Sequence, residues 1–341
     1  MRDIIHIAFC MQDKDGMYTK YVGTTIISIL ENTKHKICIH ILHDETVDDK
    51  KKKFLLDIIK RYQQSIKFYL ISLDKVLLEF NQNLGMLYRL FIFEKCNVDK
   101  IIYLDGDILV TKDIYDLWKI DIMNYYCAVI KDKKITRESI INTTYYNNIG
   151  INYKFYFNSG VIYFNCKLIK ENFNIIEEMN KFFKKNKYIS MLDQDFLNFL
   201  LQNKAKFIDK KYNFIADNID EITEKDLEKY NIIHFAGPFK PWNCKNMVVI
   251  YYYYKYFSEI FIENRIENLC KYMSYLPQNN FKKMGLRHSL LQHKKYKNKF
   301  LTISCILKGI LSDKNFNKLA YYLIKYFKVK FLYNIYYMLK K

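Results

Sequence analysis

Residues 101–118 read IIYLDGDILVTKDIYDLW. The apolar run 101–104 predicts a buried strand. It ends in Asp105-Gly106-Asp107, and a second apolar run, 108–110, follows. A glycine between two carboxylates at a strand terminus permits a tight backbone turn. Hard oxygen ligands this close suit a divalent cation such as Mg²⁺ or Mn²⁺ holding a diphosphate. A bare Asp-x-Asp carries little weight, since a chain this long shows about one by chance at average composition. The buried strand before it, the apolar run after it and partners further along the chain raise its weight.

Working outward, residues 4–9, 37–42 and 66–71 also read as strands. Helical patterns lie between them over 20–31 and 46–62, and again over 86–95. Val22, Ile26, Ile27 and Leu30 recur at helical spacing in the first. This alternation predicts a mostly parallel sheet with helices on both faces. In such sheets ligands sit at the carboxyl ends of strands, where the acidic motif lies. Downstream, 126–130 reads as a short strand and 131–155, rich in Asn and Thr, as a loop or lid. Residues 156–165 are strand-like, broken by Asn158-Ser159-Gly160. Helices are expected over 167–184 and 192–201, and a strand over 232–235. Past about residue 250 the chain turns helical and aromatic.

Five places carry candidate chemistry. His234 ends a strand just before a glycine-containing turn, and one imidazole could complete a metal site begun by Asp105 and Asp107. A lone histidine is more often a core or surface group. Lys240, between Phe239 and Pro241, can neutralise a phosphate as a point charge, or simply be a solvated lysine. Asn158 can hydrogen-bond a polar ligand, with Gly160 allowing close backbone approach; the bland alternative is a β-bulge. Asp193 reads equally well as the N-cap of its helix or, with Gln194, as a grip on sugar hydroxyls. Arg89, in Tyr88-Arg89-Leu90, is placed to hold Asp132 or the ligand.

The whole set, in the order YRL, YLDGDILV, FNSGVIYFN, LDQDFLN and IIHFAGPFKPW, resembles glycosyltransferase family 8 over roughly residues 1–250. The family includes bacterial lipopolysaccharide galactosyl- and glucosyltransferases and the glycogenins. Several ordered motifs are far more specific than any one alone. The resemblance implies a GT-A-type, Rossmann-like α/β mixed sheet with helices on both faces. It implies that Asp105, Asp107 and His234 bind Mn²⁺ or Mg²⁺. Lys240, and Gly237 through its backbone, would meet the donor diphosphate. Arg89, Asp132, Asn158, Asp193 and Gln194 fall where the family contacts the donor sugar, and Asp193 and Gln194 are the expected catalytic pair. Many relatives carry Asp-Asp-Asn-Tyr after the first strand to hold uracil. This chain has a longer stretch, Cys10 to Tyr18, with Gln12 at the likely first Asp position and Tyr18 as the base-stacking ring. The implied reaction is retaining transfer of glucose or galactose from UDP-glucose or UDP-galactose to a glycan or glycolipid acceptor.

Composition sets the outer bounds. The chain has 341 residues, half of them hydrophobic, with nine Gly and three Pro, which argues against a disordered or collagen-like chain. The net charge of +19 is uneven: residues 281–341 hold fifteen Lys/Arg against one acid, Asp313, leaving only +5 on the rest. A catalytic domain over 1–250 and a basic, aromatic helical extension over 251–341 are therefore expected, the extension meeting an anionic membrane surface. Eight cysteines with no Cys-x-x-Cys pair fit reduced thiols rather than a zinc or disulfide framework. MRDIIHIAF enters a strand pattern directly, with no signal-peptide core, and no run has transmembrane length. The expected location is the cytoplasm, at the inner face of the cytoplasmic membrane. The competing readings are a sugar nucleotidyltransferase, which would need a glycine- and basic-rich triphosphate loop near the N-terminus; a non-catalytic glycan-binding module, which would need no metal site; and a nucleic-acid binder. The near-neutral body argues against nucleic acid.

Overall fold

Strands β1 (Ile5–Met11), β2 (Ile37–His43) and β3 (Ser65–Leu70) form one side of the main sheet. β4 (Lys100–Leu104), β6 (Cys127–Val129), β7 (Val161–Asn165) and β8 (Ala205–Phe207) form the other, in the order β3-β2-β1-β4-β7-β6-β8. β5 (Ile108–Val110), β9 (Phe214–Ile215) and β10 (Ile232–His234) make a second, small sheet in the order β5-β10-β9. The computed structural model describes residues 4–73, 84–136, 140–216, 218–238, 240–242, 246, 249, 253 and 256.

The chain folds this way because β1, β2 and β4 are near-continuous apolar runs. Such strands are stable only when both faces are covered. Ile5, Ile7, Phe9 and Ile39 are fully buried, as are Ile101 and Ile102. β3 alternates exposed and half-buried residues, as an edge strand does. β3, β2, β1 and β4 run parallel, and so do β6 and β8. β7 is antiparallel to both its neighbours, β4 and β6. The sheet is therefore mixed, as the resemblance implied. Reversing β7 sets the residues just before it beside the carboxyl end of β4: Leu104 pairs with Val161, and Asp105 N–H donates to the Gly160 carbonyl at 2.9 Å.

Several elements differ from the sequence expectation. The break expected at Asn158-Ser159-Gly160 is present, with the Asn158 side chain accepting the Gly160 N–H at 3.0 Å, but before it only an isolated bridge, Phe157 to Lys131, forms, so β7 itself starts at Val161. The polar stretch 131–155 is not all loop. It holds a helix, Ile140–Asn148, and a 3₁₀ turn, Tyr153–Phe155, anchored by buried Tyr146, Ile149 and Tyr153. The helix expected over 167–184 is two, Cys166–Asn172 and Ile175–Lys185, and Asn174 caps the second by accepting the Glu177 N–H. Residues 86–95 are mostly 3₁₀ (Leu84–Phe91), with one α-helical turn at Ile92–Lys95.

Two compact units divide the chain: Met1–Asp217 with Glu224–Pro238, and Asn218–Thr223 with Phe239–Lys341. Apart from Tyr253 and Tyr256, the basic extension expected over 251–341 lies outside the described residues. Among the described residues no helix is long and apolar enough to cross a membrane.

Candidate active site

The Asp105-Gly106-Asp107 turn links β4 to β5 and so joins the two sheets. Its backbone is pinned from below by helix Met17–Asn32, where the Thr25 hydroxyl donates to the carbonyls of Gly106 (3.0 Å) and Ile108 (2.7 Å). Gly106 is not in the left-handed region, so the expected need for conformational freedom is not what selects glycine here. Space selects it: a Cβ would lie 2.8 Å from Val22 Cγ2 and 2.9 Å from the Tyr18 hydroxyl. Tyr18 is half-buried, with its hydroxyl against this turn. Burial, then the charges of Asp105 and Asp107, push its pKa up, so it stays a neutral phenol.

β10 brings His234 to the same place. It pairs with Ile108 across the small sheet, and the next residue, Phe235, donates its N–H to the Asp107 carbonyl at 3.0 Å. His234 Nε2 stands 3.6 Å from Asp105 Oδ2 and 3.5 Å from Asp107 Oδ1. Its Nδ1 is 3.0 Å from Asn213 Oδ1. An amide oxygen only accepts, so Nδ1 carries a proton, and Nε2 is the nitrogen turned to the carboxylates. Two carboxylates and one imidazole converging this closely fit a divalent cation, and a partner on the far nitrogen is the usual support for a metal-bound histidine. Gly160 makes room: a Cβ there would lie 2.1 Å from His234 Cε1.

Arg89 ties this cluster to helix Leu192–Leu201. It is 5 % exposed, its Nη2 is 2.9 Å from Asp105 Oδ1, and its Nε is 3.1 Å from Asp193 Oδ2. Its Nη1 donates to the Ser159 carbonyl at 2.8 Å, and its guanidinium lies 4.3 Å above the Tyr103 ring. Burial opposes the charge, but Asp105 and Asp193 raise the pKa of Arg89 well above its ordinary value. Asp132 is not its partner. The Asp132 carboxylate accepts the N–H groups of Lys134 (2.9 Å) and Ile135 (3.2 Å) and closes a local turn.

Nor is Asp193 an N-cap. Met191 holds that position without a side-chain cap, and Asp193 turns inward to Arg89 and the Ser159 hydroxyl, 3.1 Å away. Burial is the first cause of its raised pKa. Arg89 opposes that rise and Asp105 adds to it. Gln194 points to the same interior. Its Oε1 accepts the Ser159 N–H (2.8 Å) and the Asn158 amide (3.2 Å), and its Nε2 donates to the Tyr156 hydroxyl. Asn158 Oδ1 in turn accepts from Asn213 Nδ2 at 2.9 Å. A continuous amide chain thus runs from His234 through Asn213 and Asn158 to Gln194.

The site therefore gathers Arg89, Asp105, Asp107, Asn158, Asp193, Gln194 and His234, with Tyr18 against the turn. Gly237 follows three residues after His234 at φ 94°, a conformation that favours glycine. Lys240 is half-buried and belongs to the second unit. Sequence reasoning missed Asn213, Ser159 and Tyr103. Tyr103 donates to Asp105 Oδ1 at 2.6 Å. An asparagine before a two-residue strand has no periodic signature, so only its contact with His234 reveals Asn213.

The chain is similar to known proteins in sequence and in fold. The glycosyl transferase family 8 model matches residues 6–246. A lipopolysaccharide 1,2-glucosyltransferase of Escherichia coli is 30 % identical over 253 residues, covering 67 % of this chain and 71 % of that protein. A lipopolysaccharide 1,3-galactosyltransferase of Salmonella typhimurium is 28 % identical over 241 residues, covering 65 % and 68 %. The crystal structure of the galactosyltransferase LgtC, with donor and acceptor sugar analogues, superposes with a TM-score of 0.62 at 22 % identity, covering 75 % of this chain and 95 % of that one. The protein is a glycosyltransferase and belongs to glycosyl transferase family 8.

Proposed function

We propose that the chain transfers a hexose, glucose or galactose, from a UDP-sugar to a glycan or glycolipid acceptor with retention at the anomeric carbon. The observation that carries this is the convergence of Asp105, Asp107 and His234 beside the buried Arg89–Asp193 pair. On this reading one flank takes a cation and its diphosphate and the other the donor sugar. Lipopolysaccharide glucosyl- and galactosyltransferases among the relatives support the hexose and suggest a surface glycan as acceptor.

Asp105, Asp107 and His234 would hold Mn²⁺ or Mg²⁺, which when bound supplies positive charge to the departing diphosphate. The Gly237 backbone and Lys240 are assigned to the same diphosphate, and Tyr18 to the uracil side. Asn158, Asp193 and Gln194 orient the sugar, and Arg89 fixes Asp105 and Asp193 against each other. Asp132 is assigned to the donor side from the family resemblance alone. Gln194 is a weak nucleophile, being a neutral amide hydrogen-bonded at both ends. The reaction assigned here is a front-face substitution. The C1–O bond to the β-phosphate breaks, the acceptor oxygen bonds C1 on the same face, and its proton passes to the departing phosphate oxygen. The catalytic domain is assigned to 1–250. The basic extension, 251–341, is assigned to the inner face of the cytoplasmic membrane, where a lipid-linked acceptor meets cytosolic donor.

The test is UDP release over a panel of UDP-sugars with and without Mn²⁺. Release from UDP-glucose or UDP-galactose that needs the metal, and that Asp105→Ala or Asp107→Ala nearly abolishes, is the expected result. Full activity after EDTA treatment would overturn the metal assignment. Release from neither hexose donor would overturn the substrate.

A further inference from the structure

A second cluster of ligating side chains lies toward the amino ends of β1 and β2. His6 pairs across the ladder with Cys38, and Ala8 with His40. Directly paired and alternate residues share a face, so His6, Cys38 and His40 project together. On the other side of β1, Ile7 pairs with Ile102, three residues before Asp105, and His6 lies one residue earlier still, so the cluster is separate from the Asp105 site. His6 Nδ1 and His40 Nε2 face each other at 3.0 Å, and one ligand atom from each of the three residues lies within 4.8 Å of the others. Cys38 is 4 % exposed and His40 fully buried, while His6 is half-buried and open on one side.

We propose that His6, Cys38 and His40 form a binding site for a borderline-soft divalent cation, Zn²⁺, clipping β1 to β2. The donor set makes the choice. Two imidazoles and a thiolate suit zinc, whereas the two carboxylates and single imidazole of the Asp105 cluster suit a harder ion. Facing ring nitrogens bonded to zinc at about 2.0–2.1 Å would stand roughly 3.3–3.4 Å apart in a tetrahedral site. The nitrogens need to part by a few tenths of an ångström, and both rings to turn so that their lone pairs meet at the ion. His40 already has the outer partner that metal-bound histidines use, the Tyr69 hydroxyl 3.0 Å from its Nδ1. The hydroxyl can accept from an Nδ1–H, the tautomer in which Nε2 binds the ion. The two neutral rings carry two protons, one between the facing nitrogens and one on an outer nitrogen; on binding, the first moves to the outer nitrogen of the ring that carries it, so each ring keeps one. The Cys38 thiol releases one proton to solvent. The fourth position stays open on the His6 side, beside Trp118, which also lines a surface cleft.

The experiment uses the full chain carrying Asp105→Asn and Asp107→Asn, which disarms the carboxylate site, with Co²⁺ as the spectroscopic probe. One equivalent should bind with a near-ultraviolet thiolate-to-cobalt charge-transfer band and the visible bands of tetrahedral cobalt. Zn²⁺ should displace it. Cys38→Ser should abolish the band and the Zn²⁺-induced rise in melting temperature. Absence of the band, or a band that persists in Cys38→Ser, would leave a plain buried histidine pair and overturn the proposal. Should Cys38→Ser fold poorly, His6→Gln at the half-buried member replaces it. Zn²⁺ affinity should then fall by more than the roughly 10–100-fold that loss of an outer partner costs, and unchanged affinity would be equally decisive. Failure of sugar transfer would not move any of these readings, because the carboxylate site is already disabled.

Discussion

A methyl group on Gly160 would stand 2.1 Å from His234 Cε1 and 2.8 Å from Asp105 Oδ2. Both neighbours are held: His234 by β10 and Asn213, Asp105 by Arg89 and Tyr103. Gly160→Ala is therefore expected to displace His234 and Asp105, the proposed metal ligands, rather than be absorbed. Mn²⁺ affinity, read by titration, should fall by about 10–100-fold, the range seen when the support of a ligand is disturbed. Affinity equal to the parent's would show that His234 is not a ligand. Asp193→Asn keeps shape and removes charge. We expect turnover to fall while UDP binding stays nearly unchanged, because the proposed function assigns UDP to the metal flank. A buried ion pair that loses one partner also destabilises, by about 3–5 kcal/mol when the break is complete. A neutral amide still accepts from Arg89, so thermal melting should show less than that. Lost UDP binding with sugar transfer intact would contradict the assignment.

Helix Met17–Asn32 carries Tyr18 and Thr25 to the acidic turn, so its start matters to the site. The residue before its first turn, Gly16, is left-handed and offers no cap. Asp13 does that work from outside the helix. Its Oδ1 accepts the N–H groups of Gly16 (2.9 Å) and Tyr18 (3.2 Å); its Oδ2 accepts the Thr19 N–H (2.9 Å) and the Thr19 hydroxyl. Asp13→Ala leaves these donors buried and unmet, and is expected to cost about 1–3 kcal/mol in denaturant titration. Burial pushes the Asp13 pKa up, but the Thr19 hydroxyl and the three N–H groups outweigh it and hold the carboxyl below its ordinary value. The contribution is therefore complete above the unfolded carboxylate pKa of about 4 and is lost as pH falls through the lower folded value. Stability of Asp13→Asn should depend less on pH below about 4 than the parent's; parallel acid curves would refute this. At this scale the long elements were legible because their apolar periods are long. Ala205–Phe207 and Phe214–Ile215 were not, since two or three residues hold no period.

For the whole molecule, charge asymmetry is the feature the body does not use. Residues 281–341 carry a net +14, interleaved with Phe300, Ile306, Leu307, Tyr321, Phe327, Tyr333 and Tyr336. Each basic residue near an anionic bilayer contributes about 1 kcal/mol, so a few engaged lysines suffice for binding. Flotation with anionic liposomes at low salt should carry the full chain upward, and neutral liposomes should not. Truncation near residue 280 should abolish flotation. A full chain that stays in the soluble fraction would refute the membrane assignment.

The sequence by itself determined the α/β alternation, the acidic turn at a strand end, and the order of motifs that marks the family. These depend on residues close in the chain, where apolar period and glycine spacing report directly on local conformation. Only the tertiary structure decided what those residues do to one another. Arg89 answers Asp105 and Asp193 rather than Asp132. Asp193 faces the interior instead of capping its helix, and Asn213 accepts from His234 Nδ1. His6 meets Cys38 and His40 across two strands. Each is a contact between residues distant in the chain, made by strand register and by the reversal of β7. Register follows from how whole elements pack, and it leaves no mark in any local window of sequence.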